Sequence, residues 1–273
     1  MKQEDTILHK HIHENMMRVD PKDIFTPRVH VFEKVERVLK RRIGGVVLDV
    51  GSGSGYASIW LAKNRKMKRV FALEASDQAV RKLLPRNIRY HNVGNVVEPV
   101  LASFDNIPFH QVMDFVVAFG ALHHSPCLWS TMRSISGALK EGGYLIAQEP
   151  VMPNNTTNAQ YIRKYDIMEK RFGIEIRNGD RDDHFFRESE YITAAAFSGL
   201  DLIACEDYVA LNKSRFRTLM TRMLTSFFSI GNRGSRNLER QEHRMQSHPK
   251  IWVFAKNGVT YIPHLWKPLL GPR

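Results

Sequence analysis

Ten residues constrain this chain more than any others: Val46-Val47-Leu48-Asp49-Val50-Gly51-Ser52-Gly53-Ser54-Gly55. An apolar run of this kind reads as a buried strand, and it runs straight into three glycines at alternate positions. Glycine tolerates φ > 0 and leaves no Cβ between the backbone and a ligand lying on it. The segment therefore predicts a strand, a tight turn and a helix starting near Tyr56, with a nucleotide-like ligand on the turn. Taken alone it also fits a plain strand-to-helix connection. The dinucleotide-binding pattern G-x-G-x-x-G needs its third glycine where Tyr56 stands, so a nicotinamide or flavin dinucleotide is disfavoured. Asp49, two residues before the first glycine, is expected at the mouth of the turn, where a carboxylate suits a cationic ligand better than a pyrophosphate.

The second strand sharpens this reading. Arg69-Val70-Phe71-Ala72-Leu73 ends in Glu74, an acid 21 residues beyond Gly53. A carboxylate at that strand end accepts hydrogen bonds from ribose hydroxyls, and the expected offset is about 20 residues. By itself Glu74 reads more readily as a solvated charge at a strand end.

Further segments follow in a recognisable order: Ala102-Ser103-Phe104-Asp105-Asn106-Ile107-Pro108-Phe109, then Met113–Phe119 running into Gly120-Ala121-Leu122-His123-His124, then Leu139-Lys140-Glu141-Gly142-Gly143-Tyr144-Leu145-Ile146-Ala147. Together with the glycine turn these resemble a class I S-adenosylmethionine-dependent methyltransferase of the broad small-molecule type. The resemblance runs through residues 28–150 and resumes near 188–207 and 251–257. It implies an α/β fold: a Rossmann-like, doubly wound, mostly parallel seven-stranded sheet of order 3-2-1-4-5-7-6, the last strand antiparallel, with helical lid insertions. It also implies S-adenosyl-L-methionine as cofactor, held by Asp49, Gly51, Ser52, Gly53, Gly55, Glu74, Ala75, Ser103, Phe104 and Phe119. The family often has Asp at the position of Ser103 to accept from the adenine amino group. Ser103 accepts more weakly, and Asp105 is the substitute acid.

A chain of 273 residues with 43% hydrophobic content suits one α/β domain with insertions. The longest apolar runs fall short of the ~18 residues of a membrane span, and the first residues lack a signal-peptide pattern, so a cytoplasmic protein is expected. Cys127 and Cys205 form no disulfide framework and no metal spacing.

The methyltransferase pattern is interrupted at three places. Residues 1–27 form a polar leader before a helix carrying Val31, Phe32, Val35, Val38 and Leu39, and the leader is placed to close over the cofactor. His9, His11 and His13 within it have no carboxylate partner or fourth ligand, so no metal is expected. Residues 151–187 follow the fifth strand, at the sheet edge where ligands bind in open α/β sheets, and hold the cluster Asp180-Arg181-Asp182-Asp183-His184-Phe185-Phe186-Arg187. Asp183 and His184 either deprotonate an acceptor hydroxyl or serve structure, with Asp182 or Asp183 capping the next helix. Residues 208–250 carry nine lysines and arginines against Glu239 and Glu242, a local +7 in a chain of +12. Phe216, Leu219, Met220, Met223, Leu224, Phe227 and Phe228 recur there at helical spacing, which predicts a basic amphipathic helix. It reads first as a lid packed on the core, and otherwise as a surface for anionic substrate, membrane or nucleic acid.

Methyl transfer from an activated sulfonium needs a nucleophile held in line, and a hydroxyl acceptor needs a base. His124 is the first candidate, with Asp183 and His184 as rivals, while His123 and Glu149 are expected to bind substrate; the alternatives are a structural histidine pair, as in related enzymes, and a Glu149 that only hydrogen-bonds a nearby loop. The acceptor expected is a hydroxyl of a small or medium polar molecule, a sugar or natural product, anionic or phosphate-linked. Nucleic acid, RNA above all, is the alternative, disfavoured because no Asn/Asp-Pro-Pro-Tyr/Phe segment follows the fourth strand. A non-catalytic cofactor-binding module is the third reading. Oligomeric state is not legible.

Overall fold

Val47, Leu48 and Val50 are fully buried because the strand they form lies in the middle of the sheet. In the computed structural model of the protein, residues 17–25, 29–157, 159–160, 186–207 and 248–256 are described. Seven strands, β1 (Gly45–Val50), β2 (Met67–Glu74), β3 (Val97–Leu101), β4 (Met113–Phe119), β5 (Leu139–Val151), β6 (Leu200–Asp207) and β7 (His248–Lys256), form one sheet. Its order is β3-β2-β1-β4-β5-β7-β6. Strand β7 runs antiparallel to both β5 and β6, and the other neighbours pair in parallel. This is the expected sheet. Chain direction reverses its order between β1 and β4, so the carboxyl ends of those two strands open the crevice where α/β sheets bind ligands.

Helices cover both faces. On one lie α1 (His30–Leu39), α2 (Tyr56–Asn64) and α3 (Leu84–Tyr90), packing Phe32, Ile59 and Leu84 against Val47, Val70 and Phe115. On the other lie α4 (Leu128–Ala138) and α5 (Glu188–Phe197), packing Met132, Ile135 and Tyr191 against Leu48, Val116, Leu145 and Trp252. Parallel strands covered on both faces must be apolar throughout, which is why β1 and β4 lack polar alternation. Before α3 one turn, Ala79–Leu83, is a π-helix; Pro85 just beyond has no N–H to donate, and the ladder widens there.

Two expectations need correction. Val38 is 39% exposed, so the core stripe of α1 ends at Val35 with Leu39 half-buried. The N-cap of α5 is Arg187, whose N–H donates to Glu190 Oε2 at 2.6 Å, and neither Asp182 nor Asp183 holds that position. The leader before residue 17, most of the 151–187 insertion, the basic segment 208–247 and the apolar tail lie outside the described residues. Among the described residues no helix is long and apolar enough to cross a membrane, and no cluster of three His, Cys, Asp or Glu could hold a metal.

Candidate cofactor and acceptor site

The glycine turn is built by contacts from three strand ends. Gly51 has φ +66°, and a Cβ there would stand 2.5 Å from Ala121 Cβ and 3.2 Å from the ring of Phe104. The loop after β4 and the loop after β3 thus both close on Gly51, and only glycine leaves them room. Gly55 has φ +79° and begins α2 without a side chain to cap it. Asp49 supplies the missing cap from beneath. Its Oδ2 accepts from the Ser58 N–H at 3.1 Å and the Ser58 hydroxyl at 2.6 Å, in the first turn of α2.

That placement overturns the expectation of a carboxylate at the turn's mouth: Asp49 is 2% exposed. Burial pushes its carboxyl up to about 7, the Ser58 hydrogen bonds pull it down, and the Glu74 charge adds to the rise. Asn87, in α3, is fully buried and donates from Nδ2 to the Ser54 carbonyl at 2.8 Å. Sequence reasoning missed this second brace, because Asn87 stands between Arg86 and Ile88 and nothing local sets it apart from a surface asparagine.

Glu74 sits where its spacing placed it. Its Oε2 accepts from Gly53 N–H at 3.0 Å, and its Oε1 from Ala75 N–H at 2.9 Å and Ser76 N–H at 3.3 Å. A carboxylate offers about four acceptor positions, so one remains, on the oxygen that faces the turn. Ser52, 3% exposed, has a buried hydroxyl with no partner among the described residues.

Beyond β3, Ser103 Oγ accepts from Asp105 N–H at 3.4 Å, and Asp105 Oδ1 accepts from Thr131 Oγ1, which also pairs with Ser125 Oγ at 2.7 Å. Asp105 is thus engaged with α4 through one oxygen. Phe119, at the end of β4, is 5% exposed and packs its ring 5.1 Å from Phe32 of α1.

At the end of β5 the structure assembles a pair that sequence spacing could not show. Glu149 is fully buried. Its Oε1 accepts from Ala121 N–H at 2.8 Å and Leu122 N–H at 2.9 Å, and its Oε2 lies 2.7 Å from His123 Nδ1. Two backbone donors and an imidazole offset the cost of burying this charge. Glu149 is therefore taken up by the backbone of the loop after β4 and by His123. His123 is turned with Nδ1 on the carboxylate and Nε2 on the far side of the ring; His124 is its neighbour, ring centroids 4.0 Å apart. The turn that carries both, Leu122–His124, begins one residue after Ala121, the residue packed against Gly51. Asp183 and His184 lie outside the described residues.

A reversed seventh strand, a glycine turn after β1 and an acid closing β2 define the fold of class I S-adenosylmethionine-dependent methyltransferases. Residues 48–147 match the family model described as "Methyltransferase domain", and this segment belongs to that family. An uncharacterized chloroplastic methyltransferase of Arabidopsis thaliana is 31% identical over 119 residues, 42% of this chain and 34% of that protein. The chain thus matches about a third of the length of this curated relative. Among solved structures, geranyl diphosphate C-methyltransferase from Streptomyces coelicolor, in complex with S-adenosyl-L-homocysteine, superposes with a TM-score of 0.57 at 14% identity, covering 83% of this chain and 80% of that one. The [4+2]-cyclase SpnF superposes with a TM-score of 0.58 at 16% identity over 84% of this chain and 80% of its own. The same fold therefore carries a cyclase, and the reaction must be argued from the site.

Proposed function

We propose that the protein is an S-adenosylmethionine-dependent methyltransferase acting on a hydroxyl of a small or medium polar acceptor, of the sugar or natural-product class. The observation that carries this reading is the convergence at Gly51, where the cofactor-type turn and the His123–Glu149 pair share one contact through Ala121.

The residues fit the cofactor. Gly51 and Gly55 leave no room for a Cβ, the Ser52 hydroxyl is buried without a partner among the described residues, and Glu74 keeps an acceptor position for a ribose hydroxyl. Ser103 and Phe104 line the adenine side. When bound, S-adenosylmethionine supplies a methyl group already activated by its sulfonium. The chain's own task is to place the acceptor and take its proton. His123 receives that proton on Nε2, while Glu149 holds Nδ1, fixes the tautomer and stabilises the imidazolium that forms. This assigns to His123 the role first expected of His124.

The melting temperature with S-adenosylhomocysteine, with NAD as control, tests the cofactor half: ligand at ~100 times its dissociation constant adds roughly 2.7 kcal/mol. Transfer of a labelled methyl group across a panel of sugars and hydroxylated natural products tests the acceptor half. A response to NAD alone would overturn the cofactor reading, and turnover only on RNA would overturn the acceptor.

A further inference from the structure

At the edge of the sheet opposite the glycine turn the fold concentrates positive charge. Residues 33–42 and 63–69 hold ten lysines and arginines against Glu33 and Glu36, a local +8 in a chain of +12. Helices α1 and α2 both end at this edge, and β1 and β2 both start there. While Val31, Phe32 and Val35 of α1 face the core, Arg37, Lys40 and Arg41 follow one another at i, i+3 and i+4 on the outer side. Two adjoining furrows result. One, of about 530 Å³, runs past Arg37, Lys40 and Arg41. The other, of about 600 Å³, runs past Lys63 and Lys66, and Arg42 and Arg65 line both.

The acids here offset these cations only in part: Glu206 pairs with Lys34 and Glu98 with Arg69. Glu36 is taken by Arg65, which donates to its two oxygens at 2.6 and 2.9 Å and lies 4.7 Å over the Trp60 ring. Burial pushes the Glu36 carboxyl up, but Arg65 and the Ile43 N–H outweigh it and hold it below its ordinary value. Among the described residues no ion pair engages Arg37, Lys40, Arg42, Lys63, Lys66 or Lys68. Cations at a helix C-terminus offset the macrodipole, yet that effect fades within the last turn. It accounts for Arg37 and Lys63 and leaves Arg42, Lys66 and Lys68, beyond the helix ends, unexplained.

We propose that this furrow binds the phosphate backbone of a nucleic acid, as a docking surface separate from the acceptor pocket. A compact phosphate pocket needs converging backbone N–H groups, whereas α1 and α2 present their C-terminal carbonyls here. Binding must come from long side chains spread along an extended polyanion, which is how backbone contacts to nucleic acid are made. A membrane surface fits less well. Interfacial sites bury apolar anchors, and none of the large exposed apolar side chains among the described residues lines the two furrows. The six-residue β1 separates the furrow from the glycine turn by roughly 17 Å, so the furrow anchors a partner without blocking the site.

Fluorescence anisotropy of a labelled 20-nucleotide single-stranded RNA tests the proposal. The full chain binds, and affinity falls about 100-fold between 50 and 200 mM KCl for about five phosphate contacts. The variant R37Q/R42Q/K66Q binds at least ten-fold more weakly, with its melting temperature and its S-adenosylhomocysteine shift unchanged. R215Q/R217Q/R222Q, in the other basic segment, keeps its RNA affinity. If the first variant melts lower, single Lys66→Glu and Lys68→Glu exchanges give the same comparison at exposed positions. The proposal is overturned if the full chain does not bind RNA, if the furrow variants bind as well as the unmodified chain, or if binding is lost only in the second triple variant. Sedimentation with phosphatidylglycerol vesicles, lost in the furrow variant while RNA is ignored, would reassign the furrow to a membrane and equally overturn it.

Discussion

At the scale of single residues, three carboxylates with different surroundings divide the work. Glu74, at a strand end with one acceptor position left, is the one placed to bind ligand. Glu74→Ala should weaken S-adenosylhomocysteine binding about 10- to 100-fold by calorimetry, the loss of roughly 1.5–3 kcal/mol of charge-assisted hydrogen bonding; unchanged affinity would refute the ribose role. Glu149 is a positioning residue. His123→Ala should lower kcat about 10²- to 10⁴-fold with the S-adenosylhomocysteine melting shift intact and partial rescue by added imidazole, and Glu149→Gln should lower kcat more than it changes KM. A loss in both His123→Ala and Glu149→Gln that tracks lower melting temperature, with no imidazole rescue, would mean the pair is structural. Asp49, held at about 7 against an ordinary 3.8, makes a stability prediction. Between those values the folded state holds the proton more tightly than the unfolded chain, so this residue's contribution falls as pH rises from about 4 to about 7 and is constant above. The span is on the order of 4 kcal/mol as an upper bound. In urea unfolding at pH 5 to 8, Asp49→Asn should therefore gain on the unmodified protein as pH rises; parallel profiles would contradict a buried, proton-retaining Asp49. Of these placements only that of Glu74 was legible in the sequence, because it rests on an offset along the chain. The partners of Glu149 are 26 to 28 residues away, and no local pattern encodes such pairs.

At the scale of elements, the glycine turn behaves as a joint shared by β1, β2, β3, β4 and α2. Gly51→Ala forces a Cβ into Ala121 at positive φ, a cost of about 1–3 kcal/mol from overpacking and a similar amount from backbone strain. Its melting temperature should drop and its response to S-adenosylhomocysteine disappear, whereas Gly142→Ala, also at positive φ but with open space around it, should lose stability alone. Similar responses to S-adenosylhomocysteine in the two variants would mean that the approach of Ala121 to Gly51 is unimportant. The elements themselves were readable from apolar runs and punctuation. Strand β1 ends at Val50 as expected and begins one residue early, at Gly45, and α5 stops at Phe197 just before Gly199, which takes φ +76°. What escaped were ends set by tertiary contact. Strand β7 extends from His248 to Lys256 because antiparallel partners flank it on both sides, and the register of β4 with β5 slips around Gly142 and Gly143.

At the scale of the whole molecule, the two edges of the sheet differ in chemistry: carboxylates, histidines and a glycine turn at one, a surplus of cations at the other. Ligand response and polyanion binding should therefore separate, the first insensitive to salt between 50 and 200 mM KCl and the second steeply sensitive; a joint loss in furrow variants with unchanged melting temperature would show that the edges are coupled. The amino-acid sequence by itself determined the α/β class, the glycine turn and the Glu74 position, because backbone freedom at glycine, burial of an apolar run and a fixed offset between consecutive strand ends are all local along the chain. Only the tertiary structure decided that Asp49 is sealed under α2, that His123 and not His124 rests on Glu149, and that residues 33–42 and 63–69 merge into one basic edge. Each of these depends on which strand and helix ends the sheet sets side by side, β4 against β5 and α1 against α2, and that adjacency exists only once the crossovers are complete.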